Sequence, residues 1–211
     1  LFRLGAGDEN IDHKSIENLK IIYEKSKITP YMAVAELIIA LTLSLLRKIT
    51  AHNDNLKRFK WEKQMGNLLF GKTVGIIGFG RVGKYLSYLI KNFGVKILIY
   101  DPFKLSRNQT SLTNLLKKSD IISICASYKG GPPLLNKKRL NLISQKSILI
   151  NTSRPELLDY KYLYNMIIAD KISGVGLDVF DKEPYVGNFI NQNKNVILTP
   201  HIGSYAIEVR Q

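Results

Sequence analysis

A glycine turn, an arginine, a glutamate and a histidine carry the chemistry this sequence offers. The turn is Gly78-Phe79-Gly80-Arg81-Val82-Gly83. It follows the β-branched run Thr73-Val74-Gly75-Ile76-Ile77 and opens a segment of helical spacing. The next apolar run, Ile97-Leu98-Ile99-Tyr100, ends in Asp101, about twenty residues past the first glycine. Gly78 permits a tight turn, Gly80 lets the backbone approach a pyrophosphate, and Gly83 lets the helix pack closely on the strand. The first-turn N–H groups of that helix would face the phosphates, with Phe79, Arg81 and Val82 completing the cradle. Asp101 would accept hydrogen bonds from both ribose hydroxyls and repel a 2′-phosphate, so the expected cofactor is NAD rather than NADP.

Arg154, Glu183 and His201 each fall just past the carboxyl end of an apolar run. A guanidinium grips a carboxylate and polarises a neighbouring carbonyl. Histidine titrates near neutrality and can donate or accept a proton. A carboxylate bonded to that histidine would favour its protonated form and hold its orientation. Together, beside a nicotinamide, the three would serve hydride exchange with a small anionic keto acid.

These residues need a scaffold that brings strand ends to one edge. The pattern predicts strands over Thr73–Ile77, Lys96–Tyr100, Ile121–Cys125, Ser147–Asn151, Gly174–Asp178 and Val196–Thr199. Helices are expected near Arg81–Phe93, Ser111–Lys118, Lys137–Ile143 and Glu156–Ala169. The strands are continuous apolar runs, as in a parallel sheet covered on both faces. The expected fold is therefore α/β: a doubly wound parallel Rossmann sheet with helices on both faces and the ligand at its carboxyl edge. Upstream, Thr29 and Pro30 read as N-cap and first residue of a helix running to about Leu46. That helix is apolar on most faces, which predicts burial against more than its own domain and a homodimer through it. Asn53 to Lys63 reads as a polar helical or loop link carrying the only tryptophan, Trp61.

Composition bounds the setting. The chain has 211 residues, 45% of them hydrophobic, enough for a sizeable core. One cysteine, Cys125, excludes an internal disulfide and fits a reducing compartment, so a cytoplasmic location is expected. Cys125 reads as a buried strand residue rather than a nucleophile. No signal peptide is evident, and the most apolar stretch, Ala33 to Leu46, contains Glu36 and is short for a bilayer; no membrane partner is expected. The net charge of +14 comes from scattered lysines without a basic stripe interleaved with aromatics. It reads as compositional bias rather than a nucleic-acid footprint, while drawing in anionic ligands. His13 and His52 read as ordinary histidines, and no metal-ligand spacing occurs.

The motifs Gly78–Gly83 with Asp101, Asn151-Thr152-Ser153-Arg154, Leu177-Asp178-Val179-Phe180 with Glu183-Pro184, and Pro200-His201-Ile202-Gly203 resemble the D-isomer-specific 2-hydroxyacid dehydrogenases. The resemblance implies an NAD-dependent oxidoreductase interconverting a D-2-hydroxy acid and its 2-keto acid. It implies His201 as acid/base, Glu183 as its partner and Arg154 as substrate clamp, with Thr152 and Asp178 on the cofactor and Asp178 holding the carboxamide. Gly5, Ala6 and Gly7 are similar to the family's substrate-carboxylate loop, and Val34-Ala35-Glu36 to the start of its long dimer-forming helix. The 183–185 and 202–205 stretches are similar to phosphoglycerate-dehydrogenase-like members, which implies 3-phosphoglycerate as substrate. Two departures stand out: Pro155 replaces the usual glycine after the arginine, and the turn Cys125-Ala126-Ser127 is atypical.

The same resemblance leaves other readings open: an NAD(H)-sensing binding protein like the C-terminal-binding corepressors, or an NAD-binding fragment without turnover. Starting at Leu1 and stopping at Gln211 within an expected helix, the sequence reads as a piece of a longer protein. Residues 1–28 would be a remnant of a substrate domain and crossover, 29–203 the nucleotide domain, and 204–211 the start of a return helix. Most of the substrate domain is missing on this reading.

Overall fold

The computed structural model describes residues 1–3, 11–25, 30–104, 106–187 and 195–210. Near the start, β1 (Phe2–Arg3) and β2 (Glu24–Lys25) pair in parallel, with α1 (His13–Asn18) between them in sequence. Asp12 caps α1, its carboxylate accepting from the Ser15 N–H at 3.2 Å and the Ser15 hydroxyl at 2.6 Å, and those bonds lower its pKa. None of the α1 residues is buried.

Next come α2 (Tyr31–Arg47) and α3 (Ile49–Lys57). Pro30 precedes α2 as its N-cap instead of occupying the first helical position, and Thr29 lies outside the described residues. Ala35, Ile38, Leu41, Leu45 and Leu46 of α2 are buried. Leu41 and Leu45 pack where Gly176 leaves room: a Cβ there would lie 3.4–3.5 Å from them. Much of the apolar surface of α2 is thus covered inside the domain, while Met32 near its start stays exposed. Beyond α3, Trp61 is exposed.

The main sheet holds β3 (Thr73–Ile77), β4 (Lys96–Tyr100), β5 (Ile121–Ile124), β6 (Ile148–Asn151), β7 (Gly174–Leu177) and β8 (Val196–Leu198), all parallel, in the order β4-β3-β5-β6-β7-β8. The intervening helices are α4 (Arg81–Ile90), α5 (Leu112–Lys118), α6 (Lys137–Leu140) and α7 (Tyr160–Ile168), and α8 (Ile207–Arg210) follows β8. A lone parallel bridge, Ile99 to Gln109, adds a one-residue strand outside β4 that the sequence pattern did not reveal. The sheet is the expected doubly wound one, its strand order reversing between β3 and β5.

Side chains alternate between two cores. Val74, Ile76 and Ile121 face α2 and α4, with Ile38, Leu45, Leu86 and Ile90. Ile77, Ile122 and Ile124 face α5, α6 and α7, with Leu115, Leu140 and Leu163. Burial on both faces explains why the strands carry no polar alternation.

Several expected elements are shorter at their ends. Cys125, Asp178 and Thr199 lie one residue past their strands: their N–H groups still donate to the carbonyls of Ile77, Asn151 and Leu177, and beyond them the chain enters the turns of the carboxyl edge. Ser111 and Asp159 serve as N-caps, accepting from the N–H groups of Asn114 at 3.2 Å and Tyr162 at 2.9 Å. α4 tightens into a 3₁₀ turn over Lys91–Phe93, and α6 ends at Leu140.

Candidate active site

One row of paired residues ends all six strands: Tyr100, Ile77, Ile124, Asn151, Leu177 and Leu198. The chain is therefore released at one level across the sheet. Asp101, Gly78, Thr152 and Asp178, four of the sequence-expected site residues, are each the first residue past that row.

Gly78 has φ +96°, and a Cβ on it would sit 2.6 Å from the Ala126 backbone. A Cβ on Gly83 would lie 2.1 Å from the Gly78 carbonyl oxygen. Both positions need glycine, for the turn and for close helix packing. Gly80 differs: a Cβ there meets nothing within 4 Å. Gly80 is also the N-cap of α4 and supplies no side-chain cap, so the helix presents its first N–H groups outward. Asp101 braces this turn, accepting from the Phe79 N–H at 2.7 Å through Oδ2 and from the Phe103 N–H at 2.8 Å through Oδ1. Each oxygen retains a second lone pair for a ribose hydroxyl.

Between the β3, β4 and β5 ends lies a cleft of about 610 Å³, lined by Gly78, Gly80, Asp101, Cys125, Ala126 and Ser127 among others. The atypical turn after β5 thus forms one wall of the cleft. Desolvation against the cleft wall pushes the Cys125 thiol up to about 12, which keeps the sulfur protonated at neutral pH. Further along the edge, the Thr152 hydroxyl is buried without a hydrogen-bond partner. An orphaned hydroxyl, open space at Gly80 and a cleft at the reversal of strand order fit a dinucleotide.

Arg154 reaches the edge through a short polar scaffold. Asn151, fully buried, accepts from the Ser153 N–H at 3.1 Å and donates to the Arg154 carbonyl at 3.0 Å. The Ser153 hydroxyl donates to the Ile124 carbonyl at 2.9 Å, tying the loop to β5. Pro155 opens a 3₁₀ turn over Pro155–Leu157, where a missing N–H breaks no bond. Asn151 escaped the sequence-based site list, although an asparagine two residues before a serine is a recognisable turn signature.

His201 sits at φ +54°, a left-handed conformation uncommon outside glycine, on the turn after β8. The turn is held by Asp178, which is buried: its Oδ1 accepts from the Thr199 hydroxyl at 2.6 Å and the Ile202 N–H at 2.8 Å, and its Oδ2 from the Gly203 N–H at 2.8 Å. Three bonds to one carboxylate make Asp178 the clip of the histidine turn, a role its expected cofactor contact did not anticipate. The His201 Nδ1 and Glu183 Oε2 lie 2.7 Å apart, and Glu183 Oε1 accepts from the Phe180 N–H at 3.0 Å. The imidazole is about half exposed, leaving its Nε2 available to a substrate. Gly5, Ala6 and Gly7 lie outside the described residues, and among the described residues no group of metal-ligating side chains occurs.

Comparison with known proteins agrees with this geometry. The family model described as D-isomer specific 2-hydroxyacid dehydrogenase, NAD binding domain, matches residues 39–203. The chain is similar to a glyoxylate reductase of Thermococcus litoralis, 34% identical over 98% of this chain and 67% of that protein. It is similar to a hydroxypyruvate reductase of Thermotoga maritima, 33% identical over 99% of this chain and 72% of that protein. Among solved structures, a D-lactate dehydrogenase from Aquifex aeolicus complexed with NAD and lactic acid superposes with a TM-score of 0.85 at 28% identity, covering 99% of this chain and 71% of that one. The chain thus spans roughly two thirds to three quarters of these relatives' length, the missing part being largely the substrate domain. With the fold, the glycine cradle and the family match in agreement, the chain belongs to the D-isomer specific 2-hydroxyacid dehydrogenases, whose NAD-binding domain it carries.

Proposed function

We propose that the protein interconverts a small D-2-hydroxy acid and its 2-keto acid with NAD as redox partner. One observation carries this reading: the His201–Glu183 pair, 2.7 Å apart, stands on the sheet edge that also carries the glycine cradle. Bound NAD(H) supplies or accepts the hydride. His201, with Nδ1 engaged by Glu183, delivers a proton from Nε2 to the keto oxygen or removes it from the hydroxyl. Arg154 grips the substrate carboxylate and stabilises charge developing on the keto oxygen. Thr152 meets the cofactor with its unpartnered hydroxyl, and the cradle 78–83 meets the pyrophosphate. Asp178 holds the histidine turn, with a remaining lone pair for the carboxamide.

NADH oxidation by the protein carrying a complete substrate domain tests this, with glyoxylate, hydroxypyruvate, pyruvate and phosphohydroxypyruvate as substrates. The last follows from the reading of 3-phosphoglycerate as substrate. Turnover of at least one supports the proposal, whereas NADH binding without turnover of any 2-keto acid contradicts it. Cofactor choice is assigned to Asp101. Asp101→Ala is expected to narrow the preference for NADH over NADPH by about tenfold, through loss of repulsion toward a 2′-phosphate. Measured dissociation constants whose ratio stays unchanged would remove that role.

Residues 1–28 are assigned to the border of the substrate domain, supported by the small β1–β2 sheet and by an α1 that buries nothing. Residues 29–203 form the nucleotide domain, and 204–211 return toward that border. The working unit is a homodimer through α2, supported by the exposed Met32 and by Phe59, Trp61, Met65 and Leu68, all exposed beyond α3. Light scattering should give twice the chain mass, and a concentration-independent monomer would contradict this. The single free cysteine supports a reducing cytoplasm. Among the described residues, no helix is long and apolar enough to cross a membrane.

A further inference from the structure

Tyr160, the first residue of α7, is a partly buried titratable group to which the mechanism above gives no role. Its hydroxyl donates to the Val179 carbonyl, two residues past the end of β7. The same peptide group carries the Phe180 N–H, which donates to Glu183 Oε1 at 3.0 Å. The other oxygen of Glu183 meets His201 Nδ1 at 2.7 Å. One hydrogen-bond chain therefore runs from the phenol through a single peptide unit and the carboxylate to the imidazole. Val179 and Phe180 are both buried, so this peptide has little water to substitute for a lost partner.

A donor on the carbonyl of a peptide makes its N–H a better donor, because successive bonds polarise one another. Tyr160 is well suited to permanent donation. Burial raises its phenol above the ordinary value, outweighing the opposing effect of the Asn151 side chain, and the nearby carboxylates Asp181, Glu183 and Glu156 add smaller upward contributions. It stays protonated wherever the enzyme would work. Tyr160 also begins the helix that directly follows the Arg154 loop, so its bond ties that loop to the segment bearing Glu183.

We propose that Tyr160 is a positioning residue: through the 179–180 peptide it holds Glu183 in the orientation that fixes the His201 imidazole. The hydrogen-bond chain stands on geometry alone; its consequence for turnover rests on the proton-transfer role given to His201 above.

Tyr160→Phe keeps the ring and removes the hydroxyl. The direct readout is the ¹H–¹⁵N signal of the His201 Nδ1–H group, assigned by its loss in His201→Gln. The expected result is that Tyr160→Phe shifts this signal while those of His13 and His52 stay in place. In the protein carrying a complete substrate domain, kcat should fall about three- to tenfold with NADH affinity unchanged. That fall should disappear when Glu183→Gln is already present. An unshifted signal overturns the proposal whatever the activity, as does an equal loss of kcat in the Glu183→Gln background. A shifted signal in a protein that reduces no 2-keto acid would leave the positioning role intact and refute the proposed reaction instead. If Tyr160→Phe lowers the thermal midpoint, the signal of the folded population still decides.

Discussion

His201→Ala is expected to lower kcat/KM for 2-keto acid reduction by about 10²- to 10⁴-fold, the usual worth of a positioned acid/base group. NADH affinity should stay within about twofold, because the cradle lies at the β3 end of the sheet and His201 at the β8 end. The protein should also stay folded, since the imidazole is about half exposed and, among the described residues, bonds Glu183. Alanine is disfavoured at φ +54°, but the three bonds from Asp178 to the turn remain. Steady-state kinetics and a fluorescence titration with NADH check both halves. Loss of binding parallel to loss of rate would mean that the histidine turn is part of the cofactor site rather than the proton donor.

The glycines of the cradle offer the second large effect, and they separate folding from binding. Gly83→Ala puts a methyl group 2.1 Å from the Gly78 carbonyl oxygen and 3.2 Å from Ile76. Relief requires moving α4 off the sheet, so a loss of about 1–3 kcal/mol and a thermal midpoint several degrees lower are expected. Gly80→Ala meets no atom within 4 Å and has an ordinary negative φ of −74°. Its thermal midpoint should be unchanged, yet NADH affinity should fall about tenfold or more, because the methyl enters space left for the pyrophosphate. If Gly80→Ala bound NADH as tightly as the parent, the phosphates would lie elsewhere.

Most of the scaffold was legible because its signals are local. A buried parallel strand must be apolar on both faces, and each of the six did read as a short apolar run. Helix starts were less legible: Ser111 and Asp159, expected inside their helices, stand before them as N-caps. The single-residue bridge at Gln109 left no trace because one residue has no period. The site was legible in its residue types but not in its wiring. Asp101 and Asp178 were expected to face a ligand, and beyond that both bond groups of the chain that shape the turns beside it, wiring that residue types alone do not reveal. Tyr160 was invisible for a related reason. Its partner lies on a different loop, and only the alignment of β6 with β7 brings the two together.

The most direct test of the shared edge is a crystal structure of the protein bound to NAD⁺ and a non-reducible 2-keto-acid mimic such as oxamate. The pyrophosphate should lie on the N–H groups at the start of α4. The nicotinamide C4 and the His201 Nε2 should approach the same carbonyl group, each within about 3–3.5 Å of its reacting atom. A nicotinamide ring bound away from Arg154 and His201, with the imidazole facing solvent, would contradict the account.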